Sequence, residues 1–232
     1  MRLVDIFESV PKNKKPYETK KNQGLSRAWI RCPSGRRLDL LDPSPVDVEI
    51  SDIALSLSRI SRWAGMTATD YGFSVAQHSV LVTDILEWKI NEAGAYQDDI
   101  EKSNLSAREW LLASLCHDAP EGYLGGDLCG PAKAAMVNDD YRNMEKRLEA
   151  AIHIRFGLPA ILPLELHHAI KDADRASAYA EAVLIAGFSK KEADPLFGIA
   201  TPLKENATLV PWSPKVSEKA FIDKFNQLYN CK

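Results

Sequence analysis

Apolar residues recur at helical spacing from about residue 51 to about residue 187, and strong stop signals divide that interval into five predicted helices. The first opens at Ser51 or Asp52 and runs to Trp63, with Ile53, Leu57 and Ile60 on one stripe and Gly65 as its stop. The second opens at Ser74 with Gln77 at the reciprocal capping position. It carries Val75, His78, Val82 and Ile85 on one stripe, so His78 points toward the core. The third begins at Ser106, capped by Glu109, and continues through Trp110, Leu111, Ala113, Ser114 and Leu115 to His117-Asp118. Pro120 has no N–H for the Cys116 carbonyl, which predicts a kink or an end just beyond that pair. The fourth, roughly Asn138 to Phe156, aligns Tyr141, Met144, Leu148 and Ile152 and is stopped by Gly157 and Pro159. The fifth runs from about Pro163 to Ala186, is Ala-rich from Ala169 on, which permits close packing, and ends at Gly187.

The two ends of the chain follow other patterns. Residues 1–24 are Lys-rich and broken by Pro11 and Pro16, as in a draped or poorly ordered arm. From Ala28 to Leu41, two short extended runs flank Pro33-Ser34-Gly35 and predict a β-hairpin with Trp29, Ile30, Leu38 and Leu40 on one face. Glu192 to Pro211 has little periodicity. Val216 to Tyr229 is amphipathic through Ala220, Phe221, Phe225 and Leu228, a helix for the outside of the bundle or for a second subunit. The expectation is an all-α bundle: an arm with a hairpin over 1–50, a helical core over 51–187, and a C-terminal extension over 188–232 packed on that core. No repeat is visible.

Composition narrows the function classes. At 45% hydrophobic, 232 residues suffice for one sizeable core. A net charge of -3 offers no basic excess for a long nucleic acid, although a small anion at a local site is compatible with it. Cys32, Cys116, Cys129 and Cys231 form no C-x-x-C pair and read as reduced thiols. With no signal-like start and no run of eighteen apolar residues, the expected place is the cytoplasm, with no membrane partner.

The chemistry lies in a few polar residues on otherwise apolar stripes. If His78, His117, Asp118 and Asp174 converge, they form a site for one divalent metal, and Glu121 falls one helical turn beyond His117. Each has a plainer reading. A histidine such as His78 is often just hydrogen-bonded in a core, His117-Asp118 can be an ordinary helix end, and Glu121 can be a surface carboxylate. Asp174 needs a cation if buried, and Lys171 or Arg175 could supply it instead of a metal. His168 and Asp172, four apart, suggest a surface hydrogen bond rather than a second ligand pair beside His167, and His153 reads as partly buried. Imidazole with carboxylate suits manganese, cobalt, iron, nickel or zinc better than magnesium. Such an ion can acidify a bound water and polarise a phosphoryl oxygen, with Glu121 as general acid or base.

His78, His117-Asp118 and Asp174, with Glu121 in His-Asp-Ala-Pro-Glu, resemble the HD-domain metal-dependent phosphohydrolases. The nearest likeness is to the bacterial 5'-deoxynucleotidase group, which removes phosphate from deoxyribonucleoside monophosphates. Arg62-Trp63 matches that group's substrate-contacting Arg-Trp pair at the end of the first helix. Ser74-Val75-Ala76-Gln77-His78-Ser79 matches the setting of its metal-binding histidine, and Lys171-Asp172-Ala173-Asp174 matches the lysine three residues before its last metal aspartate. The likeness spans roughly Asp52 to Val183.

It implies an HD-type bundle, metal ligation by the four residues, acid/base catalysis by Glu121 and phosphate binding by Arg62, which also makes Arg62 catalytic. Trp63 would pack beside the substrate or brace Arg62, and the chain would form a homodimer. The group's sugar-reading aspartate lies nine residues beyond the motif histidine. Here Asp127 is ten beyond His117, as if Gly125-Gly126 held an extra residue, which leaves the choice between deoxyribose and ribose open. The alternatives are a hydrolase of nucleoside triphosphates or other nucleotides, which would want a basic funnel beyond Arg59, Arg62 and Lys133, and a nucleotide-binding sensor with little turnover. Trp29, Arg36 and Arg37 of the hairpin would either cap the pocket or brace the bundle.

Overall fold

In the computed structural model, residues 28–128, 139–198 and 207–230 are described. The expected N-terminal arm, Cys129, Lys133 and Cys231 lie outside them. The hairpin forms where predicted. β1 (Trp29–Arg31) pairs antiparallel with β2 (Arg37–Asp39), placing Ile30 opposite Leu38, and Gly35 adopts the positive φ of 88° at the turn. Leu38 is buried between two exposed neighbours. Polar contacts then tie the hairpin to the start of α1 (Ile50–Leu57): Ser34 donates its N–H and hydroxyl to Asp52 at 3.0 and 2.5 Å, and Arg36 pairs with Glu49 at 2.8 Å. Arg37 stacks over Trp29 at 4.3 Å. The hairpin therefore braces α1, and Asp52 anchors it instead of capping the helix.

α1 stops at Leu57, well short of Trp63, because the following backbone is drawn into extended pairing with the segment before the next helix. Ser61 bridges Ser74, the Arg62 N–H donates to Phe73 O at 2.8 Å, and the Val75 N–H donates to Ile60 O at 3.0 Å. A Cβ at Gly72 would lie 2.9 Å from Ser61 Cβ, so this close pairing depends on glycine. Trp63 and Ala64 then turn through the left-handed region, with φ of 58° and 53°. L-residues in that conformation cost on the order of 1–2 kcal/mol each, a strain that sits beside the candidate site.

α2 (Val75–Asn91) starts at Ser74, whose side chain accepts from the Gln77 N–H. Gln77 does not complete the capping box. Its amide donates to Val210 O at 2.9 Å and accepts from the Trp212 N–H at 2.8 Å. A short α3 (Gln97–Ser103) intervenes where no helix is predicted. α4 (Ala107–Leu115) has the full Ser106–Glu109 box. It ends before the His-Asp pair rather than beyond it: Cys116 is its C-cap, and His117 and Asp118 occupy the turn leading to α5 (Ala119–Leu124). Pro120 cannot donate to Cys116 O, which instead accepts from the Ala119 N–H at 3.0 Å, so the winding tightens and breaks one turn early.

α6 (Asp139–Arg155) and α7 (Leu164–Leu184) follow close to expectation. α8 (Lys190–Phe197), capped by a Ser189–Glu192 box, falls in the stretch that lacks clear periodicity. α9 (Pro214–Tyr229) closes the chain. The fold is a helical bundle with a two-stranded N-terminal hairpin, and α2 packs on α4, α7 and α9. Among the described residues, no helix is long and apolar enough to cross a membrane.

α9 lies on α1, α2 and α4 and contributes Phe221, Phe225 and Leu228 to the main apolar core, with the Phe225 ring 4.8 Å from that of Phe156. It packs on the outside of the bundle with one face in the core, as its amphipathic pattern predicts, while Val216, Asp223 and Asn226 stay exposed. Because Phe221 is fully buried, Phe221→Ala should lower the unfolding free energy by about 3–5 kcal/mol, measured as a shift of the urea midpoint at constant m-value.

Candidate metal centre

Three elements bring the four predicted ligands together: α2 supplies His78, the tight turn before Pro120 supplies His117 and Asp118, and the Ala-rich face of α7 supplies Asp174. One ligand atom each from His78, His117 and Asp174 lie within 4.8 Å of one another, a group that can hold a metal ion. Asp118 Oδ2 sits 3.2 Å from His117 Nε2 and 3.5 Å from His78 Nε2. His78 Nε2 is also 3.3 Å from Asp174 Oδ1.

The state of the two imidazoles decides what this cluster is for. His117 Nδ1 lies 2.8 Å from Ser114 O, and His78 Nδ1 lies 2.7 Å from Glu181 Oε1. Both partners only accept, so each Nδ1 carries its hydrogen and each Nε2 is left to face the centre. Both Nε2 atoms are buried and find no hydrogen-bond partner among the described residues. Acceptors behind two imidazoles, with their other nitrogens turned toward carboxylates, are what a metal site requires of its surroundings.

Electrostatics agree. Burial opposes ionisation of Asp118, yet His117 and then His78 hold it well below the usual carboxylate range. Burial likewise opposes Asp174, and His78 pulls it far down. At His78, burial and Arg62 push the pKa down, but Glu181 and Asp174 outweigh them and lift it to about 9. Burial drives the thiol of Cys116, beside the pair, up to about 12, and Cys116 is not in the group whose ligand atoms converge.

Glu181, which the sequence reading passed over, is the best-connected group in the centre. It is fully buried on α7, with Oε1 on His78 and on the Ser177 hydroxyl (2.8 Å) and Oε2 accepting from Arg62 Nε and Trp63 Nε1, both at 2.8 Å. His78 and Arg62 keep it ionised against burial, at about 2. Its seven-residue spacing from Asp174, with Ser177 between, puts all three on one helix face, and that spacing was the signal available. Arg62 Nη1 lies 3.7 Å from both Asp118 and Asp127, so the extra residue in the glycine turn does not keep Asp127 away. Trp63 braces Arg62 through their common acceptor, and its ring rests on Phe188 and Phe197 at 5.7 and 5.9 Å.

The centre opens on a cleft of about 250 Å³ whose lining includes His117, Asp118, Glu121, Glu145, Glu149 and Lys171. Glu121 is almost wholly buried in this wall. Arg59 is exposed and borders a separate hollow near the hairpin. Asp172 bonds Tyr96 at 2.8 Å and pairs with Lys89, so the expected His168 bond gives way to these partners. His153 is fully rather than partly buried.

Lys171 does reach Asp174, at 3.2 Å from the outer Oδ2, while Oδ1 faces His78. With the lysine side chain 54% exposed, such a pair is worth about 0–1 kcal/mol. Lys171→Met should therefore change manganese affinity by no more than about fivefold in titration calorimetry. A larger gain would show that the lysine competes with the ion as the principal partner of Asp174.

The chain is 48% identical over 180 residues to an uncharacterized protein of Rhodobacter capsulatus, covering 77% of this chain and 84% of that one. It is 30% identical over 208 residues to the uncharacterized protein YfdR of Escherichia coli, covering 87% of this chain and 96% of that one. No family model matches the chain.

Proposed function

The chain belongs to one family with YfdR and the Rhodobacter protein, and from its own side chains we propose that it is an HD-type metal-dependent phosphohydrolase that removes phosphate from a small nucleotide, foremost a deoxyribonucleoside 5'-monophosphate. The observation that supports this most is the pair of imidazoles whose Nδ1 atoms are engaged and whose buried Nε2 atoms converge with Asp174. His78, His117 and Asp174 would hold the ion, with Asp118 as a fourth ligand. This donor set suits manganese, cobalt, iron, nickel or zinc over magnesium. A bound ion of this kind supplies a water acidified toward neutrality and a Lewis acid for a phosphoryl oxygen.

The protein's own groups do the rest. Glu121, in the cleft wall one short turn from His117, takes a proton from the attacking water or returns one to the departing 5'-oxygen. Arg62, braced by Glu181, opposes the phosphate charge with its Nη1 edge. The oxygen–phosphorus bond forms on one side, the ester bond breaks on the other, and free nucleoside leaves. Asp127 beside Arg62 supports a part in reading the sugar. Among the described residues of the cleft, Glu121, Glu145 and Glu149 stand with Lys146 and Lys171, a balance that favours a single phosphate over a polyphosphate. A cytoplasmic homodimer belongs to the same proposal, supported by the exposed apolar Ile161 and Leu164.

The test is reconstitution of metal-stripped protein with manganese, cobalt, nickel or zinc against mono- and triphosphates bearing ribose or deoxyribose. Orthophosphate released from deoxyribonucleoside monophosphates is the expected result. Turnover of triphosphates alone would move the substrate class, and tight nucleotide binding without turnover would replace the hydrolase with a sensor.

A further inference from the structure

Glu181 holds two functions on one carboxylate. Its Oε1 fixes the Nδ1 edge of His78, whose opposite nitrogen faces the metal site, and is itself held by Ser177. Its Oε2 fixes the Nε edge of Arg62, whose Nη1 faces Asp118 and Asp127, and takes the Trp63 indole N–H as well. All four contacts are 2.8 Å or shorter, and the carboxylate is fully buried. Two oxygens of one planar group cannot move independently, so the imidazole that would ligate the ion and the guanidinium that would meet the phosphate are placed by the same object.

We propose that Glu181 is a positioning residue that sets metal affinity through Oε1 and phosphate affinity through Oε2, coupling the two halves of the site. This rests on the metal-dependent reading above but adds a residue and a linkage that reading does not require. The chemistry of the isosteric amide shows why. In Glu181→Gln, if the NH₂ faces His78, Nδ1 must become an acceptor and the ring hydrogen moves to Nε2, the ligating atom. If it faces the other way, an amide donor meets the Arg62 and Trp63 donors and leaves them buried and unmatched. Either arrangement damages one side, and exchange between them damages both.

The experiment is titration calorimetry of the full chain with manganese, followed by inorganic phosphate on the manganese-saturated protein. Glu181→Gln should weaken manganese about 10–100-fold, the usual effect of losing a partner behind a ligating histidine, and should weaken phosphate in parallel. Two milder variants separate the arms without removing the buried charge. Ser177→Ala, which frees Oε1 and removes a hydroxyl 3.2 Å from His78 Nδ1, should weaken manganese most and phosphate to a smaller extent, whereas Trp63→Phe, which frees Oε2, should weaken phosphate most and manganese to a smaller extent. These two carry the test if Glu181→Gln does not fold. Parent-like manganese affinity in a folded Glu181→Gln, or a loss confined to one ligand in both mild variants, overturns the coupling. A parent chain that binds manganese and phosphate but hydrolyses no nucleotide overturns the hydrolase and leaves Glu181 its role. A parent chain that binds no manganese overturns both.

Discussion

Asp118→Ala is expected to lower manganese affinity by about 100-fold or more and to abolish turnover, because the lost group is one of the charges that make a cation welcome here. Its Oδ2 stands 3.2 and 3.5 Å from the two imidazole nitrogens that face the centre. It also stands 3.7 Å from the Arg62 guanidinium, which without it would repel an incoming ion at close range. Asp118 borders the cleft with its side chain 21% exposed, so water can take the place of the missing atoms, and circular dichroism should show a folded chain while dialysed protein carries no metal. Manganese retained at the parent stoichiometry would remove Asp118 from the ligand set and leave His78, His117 and Asp174 as its members among the described residues.

Glu121→Gln separates chemistry from binding. Glu121 lies in the first turn of α5, almost wholly buried in the cleft wall beside His117 and Asp118. The amide keeps its volume and packing but can no longer exchange a proton. Manganese affinity and KM should stay near the parent values while kcat falls by about 10²–10⁴, the range for loss of a general acid or base. Parent-like kcat would make Glu121 a packing residue and move proton transfer to another group on the cleft, with Glu149, whose pKa is raised by burial and then by Glu145, next in line.

The parts legible in the sequence were those whose signals are local. Ser74 and Ser106 mark helix starts because a cap works through the adjacent turn, and both act as caps in the structure. His78, His117, Asp118 and Asp174 stood out because polar residues on apolar stripes need partners, and the fold brings them to one place. What sequence reasoning missed depends on distant backbone. The end of α1 is set by pairing of Arg62 with Phe73, which no spacing near Leu57 reveals. The early break of α4 was half visible: Pro120 announced it, but on which side of His117 it falls depends on how the Cys116 carbonyl finds another donor. Glu181 was hidden by its setting in Ala180-Glu181-Ala182, where a carboxylate in a helix reads as solvent-facing until Arg62 and Trp63, more than a hundred positions away, are seen to reach it.

Gln77 adjoins His78, and its side chain is bonded at both ends to the backbone of Val210 and Trp212. The tail of the chain is thus a strap buckled one residue from a prospective metal ligand. A version trimmed to end after α8 would leave that amide stranded in the interior and strip the inner side of α2 of the aromatic rings of α9, so shortening the protein at its far end should show up first as a loosened grip on the ion.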